Sequence, residues 1–204
     1  MIANLDVIGI CGFPGTGKTT FTKLLLELSP DLLIADLDSF VFNARIKRKG
    51  EIVDKVGDSY FNDEGALTEE TLIKLSNAAS GTLTIVHQMI SSDVLQDIKE
   101  LVRIKRGPES RCLILSYTMI PAFNFWVNVD YKVLINTDYY ARKKHLQQRG
   151  IYTYGEQLPI IDHVINECYQ GIEFDMVISN SYNLADFNVM ASDLLLKINA
   201  QTKI

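Results

Sequence analysis

Short apolar runs alternate along the chain with longer segments in which apolar residues recur at helical spacing. The apolar runs cover residues 5–11, 32–35, 111–115, 131–135 and 176–178. Each run has the length of a buried β-strand. Strands of this length separated by helical segments are typical of βα units. The pattern therefore predicts an α/β fold, with a five-stranded parallel sheet covered by helices on both faces.

Helical spacing is found between these strands and after the last of them. Helices are expected at residues 19–28, 40–49, 137–149, 159–169 and 184–199. A further helix is expected to start at Thr68, which offers a cap ahead of two acidic residues. Residues 82–86 are locally strand-like, but they equally fit the middle of a helical region that ends near Arg106. Because the chain has no internal repeat and no obvious linker, one domain is predicted over residues 1–204.

The composition is that of an ordinary globular protein. Hydrophobic residues make up 47% of the 204 residues and charged residues 22%, which argues against intrinsic disorder. The net charge of -5 argues against a nucleic-acid partner, because phosphate backbones are held by clustered Lys and Arg. The three cysteines form no CxxC pair, so we expect reduced thiols in a cytoplasmic protein. Cys11 and Cys112 lie in apolar runs and are expected to be buried.

One uncharged segment, residues 112–129, has nearly the length of a membrane helix. A strand followed by a loop is the better interpretation, because the segment contains Ser116, Thr118, Pro121, Asn124 and Asn128. The first ten residues carry no Lys or Arg ahead of their apolar stretch, so no signal peptide is expected. We therefore expect no membrane partner.

The clearest chemical motif lies between the first predicted strand and the first predicted helix. Residues 12–19, GFPGTGKT, match the pattern G-x-x-x-x-G-K-[ST], and we call them the glycine-rich loop. Such a loop points backbone N–H groups at phosphate oxygens, and the following helix adds its positive end. Lys18 is expected to reach the β- and γ-phosphates, and the Thr19 hydroxyl to ligate Mg²⁺. The residues predicted to bind ATP are Gly12, Gly15, Thr16, Gly17, Lys18, Thr19 and Thr20.

Two acidic residues, Asp36 and Asp38, follow the second predicted strand. They are expected at the carboxyl end of the sheet, where ligands of open parallel sheets gather. A carboxylate there can accept the proton of an attacking hydroxyl and help to hold Mg²⁺. Asp38 is the better candidate for the base, since it lies one step further toward the cleft. The alternative is that either acid caps the helix that starts near Ser39.

A basic helix is predicted between the fourth and fifth strands. Its basic residues are Arg142, Lys143, Lys144, His145 and Arg149. In phosphoryl transfer a mobile segment that bears an arginine neutralises charge on the transferred group. Arg149, followed by Gly150 and a polar stretch, fits the hinge of a lid over about residues 142–160. Lys143 and Lys144 fit a solvated helix face.

Beyond these motifs the chain resembles the dephospho-coenzyme A kinases, which transfer the γ-phosphoryl of ATP to the 3′-hydroxyl of dephospho-coenzyme A. The similar segments are the glycine-rich loop, DLD at 36–38, residues 57–67, IVHQMI at 85–90, Leu146 with Arg149, and FDMVISN at 174–180. The resemblance implies that Asp38 is the catalytic base and Arg149 an arginine of the lid. It places His87 on the substrate side and Asn180 beside the adenine. Asp36 and Asp38, at the carboxyl end of the sheet, are also expected to bind the substrate.

The resemblance also implies a helical substrate-binding insert over about residues 40–105. His87 lies inside that insert, which disagrees with a strand at residues 82–86. By position alone, His87 fits a buried or helix-end histidine better than a catalytic one.

Four features depart from that family's pattern. Glu69 and His145 stand where the family has Arg, Gln88 where it has Pro, and SYT at 116–118 where it has Asp-x-Pro. Because Glu69 reverses a charge near bound phosphates, the first alternative is a kinase of a nucleoside or nucleotide. The segment DSF at 38–40 also fits uridine-kinase-like enzymes. The second alternative is a relative that binds ATP or a partner without turnover. A GTPase switch is disfavoured, because the guanine-reading motif Asn-Lys-x-Asp is absent.

Overall fold

Five parallel strands form the centre of the molecule, which a computed structural model describes over residues 5–57, 81–108, 110–149 and 154–201. The strands are β1 (Asp6–Gly12), β2 (Leu33–Asp36), β3 (Cys112–Ser116), β4 (Tyr131–Asn136) and β5 (Met176–Ser179). They pair in the order β2-β3-β1-β4-β5, and every pair is parallel. The predicted five-stranded parallel sheet is confirmed, with each strand boundary within one residue of its expected position.

Helices follow or separate these strands. They are α1 (Lys18–Leu28), α2 (Asp38–Lys47), α3 (Lys49–Val56), α4 (Thr82–Lys105), α5 (Tyr139–Gln148), α6 (Tyr154–Tyr169) and α7 (Leu184–Gln201). Helix α4 decides between the two interpretations of residues 82–86 in favour of a helix. Its buried residues Val86, Ile90, Val94 and Ile98 recur every four positions, so packing of this stripe outweighs the local β-branched preference.

Two predicted helix boundaries were wrong. The helix predicted to stop at Gly50 ends at Lys47, and after a break at Arg48 the chain continues through Gly50 as α3. Ile52 of α3 is fully buried, and this packing outweighs the roughly 1 kcal/mol by which glycine disfavours a helix interior. The helix predicted at residues 159–169 begins five residues earlier, at Tyr154. Pro159 therefore lies inside α6 and does not mark its start.

The sheet is packed on both faces. On one face α1 and α7 meet, with the rings of Phe21 and Phe187 at 5.0 Å between centroids. On the other face α2 and α4 cover the sheet, and Val94 lies in the same core cluster as Leu113 of β3. Burying each such side chain contributes roughly 1.5–3 kcal/mol. The thiols of Cys11 and Cys112 are buried and free, as predicted.

The uncharged segment at residues 112–129 is not one helix. It forms β3 and then two 3₁₀ helices, Ile120–Ala122 and Asn124–Asn128. Phe123, Phe125 and Trp126 of this segment are buried in the core beside α4. Within the described ranges, no helix has the length and apolar character needed to cross a membrane.

Several sequence predictions fall outside the described residues. They are the helix start at Thr68, the charge reversal at Glu69, most of the family-like segment at residues 57–67, and the hinge residue Gly150. The described part of the predicted insert consists of α2, α3 and α4 and is helical, as the resemblance implied.

Candidate functional site

The glycine-rich loop joins the end of β1 to the first turn of α1. Gly15 and Gly17 have φ angles of 81° and 95°, a left-handed conformation that glycine adopts without strain. A Cβ on Gly17 would lie 2.7 Å from Asn180 Nδ2, so the loop passes too close to β5 for a side chain there. The first N–H groups of α1 have no acceptor within the helix. They therefore form a binding position for an anion such as phosphate.

Residues that follow β5 hold the glycine-rich loop in place. Asn180 donates from Nδ2 to the Thr16 carbonyl at 2.8 Å, and its Oδ1 accepts from the Tyr182 N–H at 2.8 Å. The Tyr182 hydroxyl donates to the Gly15 carbonyl, also at 2.8 Å. Asn180, the predicted neighbour of the adenine, thus positions the loop through both ends of its amide. It also borders a cavity of about 290 Å³ together with Gly17 and Thr20.

Gly17→Ala should destabilise the protein by about 1–2 kcal/mol, because a left-handed conformation costs about that much for a residue with a Cβ. It should also weaken ATP binding, since the loop must shift away from Asn180. The matched control is Gly50→Ala, because Gly50 lies within helix α3 and a Cβ there meets no atom within 4 Å. That control should stabilise the protein by about 0.5–1 kcal/mol. Urea unfolding measures both changes, and equal stability of the two variants would contradict this description of the loop.

Lys18 spans the inside of the glycine-rich loop. Its Nζ donates to the carbonyls of Gly12 and Phe13 at 2.8 and 3.2 Å, and to Thr118 Oγ1 at 3.1 Å. Burial lowers the pKa of Lys18 to about 8, against the opposing effect of the Asp38 carboxylate. Lys18 is therefore cationic at neutral pH, and its hydrogen-bond partners among the described residues are neutral oxygens. Phosphate oxygens are stronger partners for such a cation, because a charge-assisted hydrogen bond exceeds a neutral one in strength.

The two predicted acids lie where β2 ends and α2 begins. In the sheet register Asp36 pairs with Ser116, which in turn pairs with Ile10 of β1. Asp36 Oδ1 accepts from the Asp38 N–H at 3.3 Å, so Asp36 makes a cap-like contact and Asp38 lies in the first turn. The Asp38 side chain is partly in contact with solvent, but the surrounding protein removes some of its hydration and thereby raises its pKa. The neighbouring Asp36 carboxylate also raises the pKa of Asp38. A raised pKa makes Asp38 a better proton acceptor.

Asp38 lines a cleft of about 250 Å³ beside the glycine-rich loop, which we call the Asp38 cleft. Its lining combines polar groups near the loop with apolar side chains: Pro14, Asp38, Arg45, Leu83, His87, Tyr117, Thr118, Met119, Ile161, Val164 and Ile165. Thr118 connects the cleft to the loop, since it accepts the hydrogen bond from Lys18. The Tyr169 hydroxyl accepts from the Gly12 N–H at 3.0 Å and donates to the Thr118 carbonyl at 2.6 Å. Helix α6 thereby fixes the start of the loop against the cleft.

His87 lies in the wall of the Asp38 cleft and is 0% exposed. Its Nδ1 is 2.7 Å from the Leu83 carbonyl, and its Nε2 is 3.1 Å from the Tyr117 hydroxyl and 3.4 Å from Arg45 Nη2. Because a carbonyl only accepts, Nδ1 carries the proton and Nε2 is the acceptor. Burial, together with the smaller effect of the Arg45 charge, lowers the pKa of His87 to about 3. His87 is therefore a neutral side chain that orients Tyr117 and Arg45, and it does not act as an acid that gives up a proton.

Acidification should destabilise the protein through His87. The pKa of His87 is about 3 in the folded state and 6.5 in the unfolded state, so between these values only the unfolded state binds the proton. Stability is therefore retained above pH 6.5 and lost as the pH falls toward 3. At pH 5 the expected loss is about 2 kcal/mol, from about 1.4 kcal/mol per pH unit. Urea unfolding at pH 7 and pH 5 should show this loss in the wild type and in His163→Gln, whose histidine is exposed. If His87→Gln lost as much stability as the wild type, the neutral assignment of His87 would be wrong.

The basic helix α5 contacts the glycine-rich loop through Arg142. Arg142 is 3% exposed, donates from Nη1 to the Pro14 carbonyl at 3.3 Å and forms a bidentate salt bridge with Asp162 of α6. Its guanidinium lies 5.0 Å from the centroid of the Phe13 ring. Arg142 was predicted only as one of the basic residues of this helix. The available signal was its i,i+4 spacing with Leu146, the other buried residue of α5.

Arg149, the predicted arginine of the lid, directly follows α5. It is exposed, and it lines neither the Asp38 cleft nor the cavity beside Asn180. Its role stays a prediction.

The oxygen donors near the glycine-rich loop fit a Mg²⁺ ion. Thr19 offers an exposed hydroxyl in the first turn of α1, and Asp36 offers a carboxylate at the end of β2. Mg²⁺ in nucleotide sites is usually held by one or two carboxylates together with water and substrate phosphates. Among the described residues, no cluster of three or more His, Cys, Asp or Glu could hold a metal by itself. The donor set therefore suits an ion that arrives with a nucleotide.

Comparison with known proteins supports the fold. No family model matches the sequence, and no curated protein matches it. Among solved structures, TT1252 from Thermus thermophilus is 19% identical and has a TM-score of 0.69, with 95% of this chain and 98% of that chain covered. A dephospho-CoA kinase from Campylobacter jejuni has 16% identity and a TM-score of 0.48, covering 96% and 98%. A shikimate kinase from Bacteroides thetaiotaomicron has 12% identity and a TM-score of 0.46, covering 93% and 97%. At such identities the likeness to TT1252 supports the α/β fold alone.

Proposed function

We propose that the chain transfers the γ-phosphoryl group of ATP to a hydroxyl group of a small molecule. The observation that carries the proposal is the connection between the glycine-rich loop and the Asp38 cleft. Lys18, in the loop, donates to Thr118, which lines the cleft together with Asp38. A nucleotide held by the loop therefore has its terminal phosphate next to a cleft that contains a candidate base.

The residues of the site can divide the work of phosphoryl transfer. This reaction depends mainly on positioning and on neutralising charge, with little covalent chemistry from the protein. The N–H groups of α1 and the ammonium of Lys18 bind the phosphates of ATP. Asp38 accepts the proton of the acceptor hydroxyl. At the same time the hydroxyl oxygen forms a bond to the γ-phosphorus, and the bond between that phosphorus and the leaving ADP breaks. Mg²⁺, when bound near Thr19, supplies further positive charge at the phosphates.

Dephospho-coenzyme A is the acceptor that the sequence resemblance favours. Because it carries a pyrophosphate, its binding calls for a cation to compensate for Glu69, which lies outside the described residues. Arg45 lines the Asp38 cleft and supplies one positive charge. Lys47 and Arg48, which follow Arg45 in the basic run RIKRK at residues 45–49, are instead bound to Asp93. Of these three cations, Arg45 is thus the one that supports binding of a phosphate-bearing acceptor in the cleft.

Acceptor-dependent release of ADP from ATP and Mg²⁺ tests this proposal. The acceptors are dephospho-coenzyme A, nucleosides and nucleoside monophosphates, each compared with a reaction that contains no acceptor. We expect the largest increase with dephospho-coenzyme A. A larger increase with a nucleoside or its monophosphate would change the acceptor and keep the reaction. ATP binding without any acceptor-dependent release would show a binding protein rather than a kinase.

A further inference from the structure

The Asp38 cleft contains a positive charge that interacts electrostatically with the Asp38 carboxylate but forms no salt bridge in the described part of the chain. Arg45 lines this cleft, and no carboxylate among the described residues forms a salt bridge with it. Its described contacts are with neutral groups, His87 Nε2 at 3.4 Å and the Tyr117 hydroxyl. Arg45 Nε is buried and has no hydrogen-bond partner among the described residues, which is costly to a folded protein. The guanidinium charge beside the cleft is thus held by neutral groups and can be paired by an anion bound in the cleft.

The neighbouring cations show that the chain can neutralise charge in this region. Asp93 of α4 pairs with Lys47 Nζ at 2.5 Å and with Arg48 Nε at 2.7 Å. Arg45 is only two residues before Lys47, yet it turns toward the cleft instead of toward Asp93. Lys47 and Arg48 therefore form salt bridges that stabilise the fold, whereas the charge of Arg45 lies beside the cleft.

We propose that Arg45 binds an oxyanion of the acceptor, either a carboxylate or a phosphate, and thereby positions the acceptor hydroxyl at Asp38. The acceptor class is a hydroxyl-bearing anion with an apolar portion, which fits the side chains of Leu83, Met119 and Ile161 in the same cleft. The positioning of the acceptor hydroxyl at Asp38 rests on the proposed function. Binding of an anion at Arg45 does not depend on phosphoryl transfer.

The surroundings of Arg45 prepare its guanidinium for this role. Neutral His87 can only accept at Nε2, so it holds Nη2 without neutralising the guanidinium charge. Because Arg45 lines the cleft, a carboxylate or phosphate bound there can pair with its guanidinium through charge-assisted hydrogen bonds. A lysine at this position would keep the charge and lose the paired geometry.

Binding of model anions tests the site directly. Benzoate and phenyl phosphate are titrated into the full chain, with benzamide as the neutral counterpart and with Mg²⁺ and a non-hydrolysable ATP analogue occupying the glycine-rich loop. We expect at least one anion to bind tenfold or more tightly than benzamide, because a hydrogen bond to a charged group is worth about tenfold or more in affinity. Arg45→Gln should lose that difference, and Arg45→Lys should recover part of it. The matched control is Lys47→Gln, which removes a charge from the same helix and should bind as the wild type does.

Each outcome decides the matter. Stronger binding of benzoate or of phenyl phosphate identifies the carboxylate or the phosphate as the preferred anion. Equal affinity of the wild type and Arg45→Gln, equal binding of benzamide, or no anion binding by the wild type would overturn the proposal. If Arg45→Gln does not fold, the comparison of benzamide with the anions in the wild type and in Arg45→Lys still decides. Anion binding that depends on Arg45 without any acceptor-dependent ADP release would reject the proposed kinase reaction alone. The reverse combination would reject the anion site alone.

Discussion

Replacing Lys18 with alanine should weaken binding of Mg²⁺–ATP by about 2–5 kcal/mol, roughly thirtyfold to several thousandfold, as expected for a lost contact between buried charges. Lys18 is the cation at the centre of the glycine-rich loop, and its present partners are neutral oxygens. Calorimetry with a non-hydrolysable ATP analogue measures the change. The matched control is Lys23→Ala, which removes an exposed lysine from the same helix and should leave the affinity unchanged.

The pH dependence of the same binding gives a second measure. The pKa of Lys18 is lowered to about 8, so the free protein loses this positive charge as the pH rises above 8. Affinity for the nucleotide should therefore fall above pH 8 in the wild type and change less in Lys18→Ala. Equal affinities of the wild type and Lys18→Ala at pH 7 would show that the nucleotide does not bind at this loop.

Asp38→Asn should lower kcat by about 10²–10⁴-fold, the usual contribution of a general base, and leave ATP affinity nearly unchanged. The reason is that the base acts on the acceptor hydroxyl in the transition state and does not hold the nucleotide. Steady-state kinetics with the acceptor that gives the most ADP release measures kcat, and calorimetry measures ATP affinity. Asp54→Asn, an exposed carboxylate on α3, is the control and should retain full activity.

Asp36→Asn separates the two acids. Asp36 raises the pKa of Asp38 through its charge, so Asp36→Asn should shift the pH profile of kcat, measured at saturating Mg²⁺, to lower pH. An unchanged kcat in Asp38→Asn, combined with a large loss in Asp36→Asn, would assign the base to Asp36.

The sheet and the glycine-rich loop could be predicted because their signals are local. Strands buried on both faces are continuous apolar runs, and LDVIGIC at residues 5–11 is one of them. Helix α4 could not be decided from its first residues, because burial of Ile90 and Val94 against the core outweighs the strand preference of residues 82–86. The end of α2 at Lys47 coincides with salt bridges to Asp93, which lies 46 residues further along the chain.

Candidate site residues could be named from the sequence where they lie in one motif, but not where the site depends on contacts between distant residues. Tyr169 reaches Gly12 across 157 residues, and Arg142 reaches Pro14 across 128. His87 meets Tyr117 across 30 residues, and its neutral state follows from burial that the sequence does not reveal. No local sequence pattern indicates such contacts. His87 could therefore be named as a candidate from the sequence, but its partners Tyr117 and Arg45 could not.

In the proposed reaction, ATP held at the glycine-rich loop phosphorylates a hydroxyl in the Asp38 cleft. Phosphorus-31 NMR can follow this reaction with ATP, Mg²⁺ and the preferred acceptor, because the signal of a phosphate ester differs from those of ATP, ADP and inorganic phosphate. We predict a new ester signal that grows together with ADP in the wild type, is absent in Lys18→Ala and forms far more slowly in Asp38→Asn. ATP that stays intact, or that yields inorganic phosphate without any ester for every acceptor tried, would contradict the proposed reaction.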